Sequence, residues 1–368
     1  MIPISKPFIG DEECDAVLRV LKSGFIVEGK ETKAFEEEFA AFCGVKHAVA
    51  TNSGTTALHA ALLAHGIGPG DEVITTPFTF IASVNSIIFT GARPVFADIL
   101  PETYNIDPDS IRALITPKTK AIMPVHLYGL ICDMEAIQAI ADEHGVPVIE
   151  DAAQAIGATR SGKRAGSFGT GCFSLYATKN VMCGEGGMIT TNDKEIATRA
   201  RLIRSHGSSR RYYHDTLGYN YRMMDLTAAI GRIQLQRFPE FHAARQRNAR
   251  YLNENLKSVI TPRCFAECRP TCTLDCGHAW HQYTVRVESD DDGQTRDAAV
   301  AKLSEMGIGT GIFYPVPANR QKHIQDLGLG DAEVTVAERI SRQVFSLPVH
   351  PQLSHEDLKM IVEGVNSL

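Results

Sequence analysis

The sequence predicts an α/β protein with a mostly parallel central sheet, and three observations carry that expectation. Short β-rich runs alternate with helix-compatible segments from about residue 45 to 200, the pattern of βαβ units. The runs are apolar nearly throughout, as strands covered on both faces must be. The segment DMEAIQAIADEHG places Met134, Ile137 and Ile140 on one face at helical spacing.

In chain order the β-like runs are HAVAT (47–51), DEVITT (71–76), RPVFAD (93–98), KAIMPVH (120–126), VPVIED (146–151), CFSLYA (172–177) and GMITT (187–191). TTALHAALLAH reads as a helix behind the first run. The helix over DMEAIQAIADEH is expected to stop at Gly145, since glycine accepts the left-handed conformation that closes helices. Residues 222–256 become helix-like, rich in Ala, Gln and Arg, with a break expected at Pro239. A strand at WHQYTVRV (280–287) and a helix near 296–306 follow. A chain of 368 residues is longer than one core usually spans. Residues 1–240 are therefore expected to form an N-terminal arm and large domain, and 241–368 a smaller C-terminal α/β domain, joined by a long helix.

Composition narrows the function. The chain is 44% hydrophobic and 22% charged, with 37 basic and 43 acidic residues and a net charge of −6. No apolar stretch approaches the roughly 20 residues of a membrane-spanning helix. The opening MIPISKPFIGDEECDAV has neither the basic nor the apolar region of a secretory signal. An acidic balance argues against a nucleic-acid surface. The expectation is a cytoplasmic globular protein whose nine cysteines are free thiols.

Three segments carry chemistry. In ATNSGTTAL (50–58) a strand ends, a small polar turn follows and an apolar helix begins. Such a turn is either a plain N-cap or an anion cradle of free amides at a helix N-terminus. In VIEDAAQ (148–154) acidic residues end a buried strand, where open α/β sheets bind ligands; a capping aspartate is the alternative. In FSLYATKN (173–180), ahead of GEGG, a lysine follows a strand. It is either a solvated surface amine or a buried one with a lowered pKa, able to form a Schiff base. Phosphate cradle, strand-end aspartate and flanked lysine together are the set that pyridoxal 5'-phosphate (PLP) requires.

Over nearly its whole length the chain resembles the DegT/DnrJ family of nucleotide-sugar aminotransferases, which have the fold-type-I PLP architecture. The resemblance rests on NSGTTALHAAL, GDEVITTPFTFIAS, VIEDAAQAIGA, FSLYATKNVMCGEGG and GYNYRMMDLTAAIG, in that order. It implies that Lys179 is the Schiff-base lysine and Asp151 the partner of the pyridine nitrogen. Gln154 then bonds the ring's phenolic oxygen, Phe80 stacks on the ring, and Gly54, Thr55 and Ser174 contact the phosphate. Asn220 matches a residue supplied by the neighbouring subunit, implying a homodimer with its active site at the interface. The implied reaction is transamination of a nucleotide-linked keto-sugar with L-glutamate as donor. A cyclitol or other cyclic ketone is the alternative acceptor, and a non-catalytic regulator the alternative role. Lys179 argues against a dehydratase of this lineage, in which histidine replaces the lysine.

Tyr314 and His323 lie where the family contacts its sugar nucleotide, although relatives often carry histidine at the first position. His126, Tyr128 and His206 are expected to pack or hydrogen-bond. Cys264, Cys268, Cys272 and Cys276, with His278 and His281 just beyond, form a series that is not part of the family pattern, although His281, in HQYTV, follows that pattern by itself, where a structural role is the alternative to a ligand. The spacing of the series suits structural zinc, but Pro270 interrupts the run, and reduced thiols without a metal are the expectation.

Overall fold

The computed structural model describes residues 1–263, 277–289 and 292–368. The chain begins with α1 (Asp11–Ser23), α2 (Lys30–Cys43), β1 (His47–Thr51), α3 (Gly54–Ala64), β2 (Glu72–Thr75), α4 (Ile81–Phe89), β3 (Arg93–Phe96) and α5 (Pro108–Leu114). It continues with β4 (Thr119–Met123), α6 (Met134–His144), β5 (Ile149–Asp151), the short hairpin β6 (Thr159–Arg160) and β7 (Lys163–Arg164), β8 (Thr170–Ser174), β9 (Gly187–Thr191) and α7 (Lys194–Arg204). A second hairpin, β10 (Ser208–Arg210) and β11 (Tyr213–His214), precedes α8 (Asp225–Asn255), β12 (Tyr283–Arg286), α9 (Gln294–Glu305), α10 (Lys322–Asp326), α11 (Thr335–Gln343), β13 (Val344–Leu347) and α12 (His355–Asn366).

All seven β-like runs of the first 200 residues are strands of one sheet. Backbone hydrogen bonding between strands gives the orders β1-β9-β8-β5 and β3-β2-β4, and parallel bridges Ile122–Val148 and Val125–Asp151 join the two pieces. The whole order is β3-β2-β4-β5-β8-β9-β1. β9 runs antiparallel to both its neighbours, and the other six share one direction. The reversal has a local cause: no helix crosses back between Ser174 and Gly187, so the chain returns beside β8 as a long hairpin.

Alternate residues of the strands feed alternate cores. Ala48, Ala50, Ile74, Ile122, Val148, Phe173 and Met188 face one cluster with Phe35 and Phe39 of α2 and Ile137 and Ile140 of α6. Val49, Val73, Met123, Ile149, Cys172 and Ile189 face another, with Leu58 and Leu62 of α3 and Ala200 of α7. These strand residues thus find apolar contacts on one side or the other, the period-2 logic of a sheet between helix layers. A third cluster joins Tyr283, Val285, Phe345 and Leu347 of the antiparallel β12–β13 pair to Leu303 and Ile361, with Ala249 and Leu252 of α8 and Ile2 from the N-terminus.

The expected break at Pro239 is absent. α8 runs unbroken for 31 residues with Pro239 inside it. The two flanking turns are pinned on both sides of the proline, Phe238 against the sheet cluster and Phe241 buried beneath Phe8. Packing on both sides outweighs the lost amide and the ring clash, about 3 kcal/mol. α6 closes at Gly145 in the left-handed conformation (φ 64°), as its sequence requires. Asp225, first residue of α8, caps α2 instead: its carboxylate accepts the backbone N–H of Gly29 (2.8 Å), Glu31 (3.1 Å) and Thr32 (2.9 Å).

Candidate active site

The strand ends of the sheet open into a cavity of about 570 Å3. On its wall, α3 begins at Gly54 behind the N-cap Ser53, whose Oγ accepts the Thr56 N–H. The cap therefore exists, and it leaves the amides of the first turn, at Gly54 and Thr55, without partners inside the helix. Gly54 is the contact point with the end of β8: a Cβ there would lie 2.7 Å from Cβ of Ser174. Only glycine lets the helix N-terminus and Ser174 share one concavity, so the N-cap is present and its free amides stand beside Ser174.

Asp151 ends β5 and is not a helix cap. Its Oδ2 accepts Ser83 Oγ at 2.7 Å and its Oδ1 accepts the Ala153 N–H at 3.1 Å. Burial pushes its carboxyl up, with Ser83, Ala153 and Lys179 opposing. A cation laid against Asp151 reverses that balance. Lys179 is on the cavity wall, not the surface. Burial lowers its amine to about 8, against the pull of Asp151. A substantial neutral fraction near neutral pH makes it a nucleophile and a proton carrier.

Gln154 is held at both ends. Its Oε1 accepts the Tyr128 N–H at 2.8 Å and its Nε2 donates to Tyr314 Oη at 3.1 Å. The Tyr128 hydroxyl in turn donates to the carbonyl of Phe313, so a closed circuit positions Gln154. Burial, then Asp151, pushes the Tyr314 phenol up. Phe80 follows β2 and remains 57% exposed inside the cavity, with its ring 6.1 Å from that of Tyr314. A large aromatic face bare within a cavity suits a stacked planar ring.

Gly54, Thr55, Phe80, Asp151, Gln154, Ser174, Lys179 and Tyr314 all line this one cavity. Asn220 and His323 do not. Asn220 is exposed, bridged to Ser205, and its carbonyl accepts Asn52 Nδ2 at 3.3 Å. His323 sits on the exposed turn α10, with Nε2 3.0 Å from Asn85 Oδ1. His206 is exposed and Tyr128 buried. The Cys264–Cys276 series lies outside the described residues. His278 is buried, stacked on Trp280 at 3.9 Å, with Nδ1 accepting the Trp280 N–H. The five described cysteines are free thiols.

Two polar groups escaped the sequence reading. Ser83, a residue like many others in an apolar helix, fixes Asp151. Glu150, adjacent to Asp151, turns the opposite way. It accepts N–H groups of Gly166 (2.7 Å), Phe168 (2.9 Å) and Gly169 (2.8 Å) and contacts His126 Nε2 at 3.0 Å. The Cys132 N–H donates to His126 Nδ1 at 3.3 Å, which leaves Nε2 as the donor to Glu150. One acid of the pair is scaffolding, the other lines the cavity, and strand alternation alone separates them.

An anion cradle, a buried strand-end carboxylate, a bare aromatic face and a buried amine fit PLP at every group, and the molecule is of the PLP-dependent aminotransferase class. Residues 7–366 match the DegT/DnrJ/EryC1/StrS aminotransferase family, to which the chain belongs. It is 42% identical to the spore coat polysaccharide biosynthesis protein SpsC of Bacillus subtilis (strain 168), covering 100% of this chain and 97% of that one. It is 41% identical to the GDP-perosamine synthase of Caulobacter vibrioides, over 100% and 98% of the two chains. Among solved structures, S. venezuelae DesV superimposes with a TM-score of 0.89 at 38% identity, over 97% of this chain and 94% of that one.

Proposed function

We propose that this enzyme transfers the amino group of L-glutamate to a keto-sugar carried on a nucleoside diphosphate. The observation that carries the reading is the placement of Lys179, Asp151 and the Gly54–Ser174 cradle in one cavity, in a chain alike over its full length to a GDP-perosamine synthase. PLP, when bound, supplies an aldehyde that takes up the amino group and a pyridine ring that draws electron density from the reacting carbon.

Each residue then has a task. Gly54, Thr55 and Ser174 hold the phosphate with amides and a hydroxyl. Asp151, kept in line by Ser83, keeps the pyridine nitrogen protonated. Gln154, immobilised by Tyr128 and Tyr314, donates to the ring's phenolic oxygen, and Phe80 covers the ring. Lys179 anchors the cofactor at rest. Its neutral amine would also serve to accept and hand back the proton of the donor α-carbon. Tyr314 and Phe313 face the acceptor. Asn220, exposed here, serves the neighbouring subunit's site in a homodimer of cytoplasmic location. We place the boundary between the PLP-binding and C-terminal domains near residue 240, within α8.

The test is an absorption spectrum of the PLP-loaded protein before and after L-glutamate, with 2-oxoglutarate measured as product. Keto-sugar nucleotides are then offered to the aminated form. Conversion by L-glutamate followed by amination of a cyclic ketone lacking a nucleotide, and of no keto-sugar, would move the acceptor to the cyclitol class. A protein that no amino donor converts sinks the proposal.

A further inference from the structure

We infer that Arg245, with His281 beside it, binds a carboxylate of the amino donor and so selects amino acids in the first half of the reaction. This rests on the transamination proposed above.

Arg245 projects from α8 and is only 6% exposed. Its Nη1 donates to the carbonyls of Trp280 (2.9 Å) and His281 (3.3 Å). Its Nε is buried with no partner, and no carboxylate pairs with it among the described residues. The other two buried arginines differ. Arg204 pairs with Glu28 and Glu36, and Arg296 pairs with Asp297. A buried cation without a counter-charge is costly unless an anion arrives to meet it. Burial alone lowers its guanidinium to about 10.

Its position says which anion. Arg245 lines the cavity that holds Lys179, and also the crevice behind that lysine formed with Ala177, Thr178 and Asn180. His281 lines the same cavity, and its Nδ1 is likewise buried without a partner. Burial, then Lys179 and Arg245, holds its imidazole neutral, so it adds a polar contact without a second charge. The α-carboxylate of an amino acid is one bond from the carbon that reacts. A cation on the wall of the cavity that also holds Lys179 is therefore placed to meet the donor's carboxylate. The diphosphate of a sugar nucleotide lies a sugar ring further away.

The experiment follows conversion of the PLP-loaded protein by L-glutamate and by n-butylamine, an amine with no carboxylate. In Arg245→Gln the ratio of kcat/KM for L-glutamate over n-butylamine is expected to fall about tenfold or more, the worth of a charge-assisted contact. Arg245→Lys should recover part of it. PLP uptake by each variant verifies the fold. An unchanged ratio, with both amines slowed alike, makes Arg245 structural and overturns the assignment. An unchanged ratio with loss of inhibition by UDP gives the site to the diphosphate and overturns it equally. A wild type that reacts with n-butylamine but not L-glutamate overturns this assignment together with the donor reading. Glutamate conversion with an unchanged ratio overturns this assignment alone.

Discussion

Lys179 and Asp151 divide the chemistry by protonation. The ordinary lysine value is 10.5, and burial brings Lys179 to about 8. Only the neutral amine attacks an aldehyde, so PLP uptake by the apoprotein should rise with pH and reach half its maximum near pH 8. A stopped-flow pH series that instead climbs to beyond pH 10 would place the amine in solvent. Lys179→Ala should lose this uptake phase altogether. Asp151→Asn preserves the shape of the side chain while removing its charge. It is expected to lower kcat about a hundredfold or more, the usual scale for a lost electrostatic partner. Both residues were legible in the sequence because Asp151 ends an apolar strand and Lys179 follows one, each in a motif of small neighbours. Arg245 was not, since it stands in ARQRNAR beside Arg247 and Arg250, and nothing in the letters separates a buried arginine from exposed ones. Ser83 and Glu150 were hidden for the same reason: their partners are 68 and 16 to 24 positions away.

Among elements, the seven strands were readable because two-sided burial leaves continuous apolar runs, whereas the reversed direction of β9 was not. Direction depends on whether a helix crosses over, and the Gly-rich stretch at 184–187 fits either outcome. Pro239 misled because helix propensity was weighed without the aromatic contacts that hold the turns beside it. Asp225 shows how elements pin each other. Its replacement by alanine leaves three amides at the start of α2 without their acceptor. A loss of about 2 kcal/mol or more in urea unfolding is expected. At the start of α3, Gly54→Ala forces a Cβ to 2.7 Å from Ser174 Cβ. Helix and strand must part, and PLP affinity, titrated by absorbance, should weaken about tenfold for a shift that costs a single phosphate contact.

The whole molecule carries exposed apolar side chains at Phe25 (77%), Val27 (67%) and Leu217 (76%), and no helix among the described residues is long and apolar enough to cross a membrane. A second copy is the expected cover. If Asn220 completes a neighbour's site, Lys179→Ala and Asn220→Ala proteins, each inactive alone, should regain activity when unfolded and refolded together. Random pairing with two-fold symmetry restores about a quarter of the sites. Absence of any recovery, with dimers confirmed by sedimentation, would keep Asn220 out of the neighbouring cavity.

The path of the sheet also governs when the molecule can come into being during synthesis. Among the described residues β1 lies at the sheet edge and pairs with β9 alone, and the N-terminal Ile2 pairs beside Ile308. At ribosomal speeds of about 5–20 residues per second, β1 waits several seconds or longer for its neighbour, and Ile2 waits longer still. Ile4 and Ser5, which line the cavity with Lys179, follow directly on that late pairing. A nascent chain thus emerges with its first strand unpaired until β9 has followed it out of the ribosome.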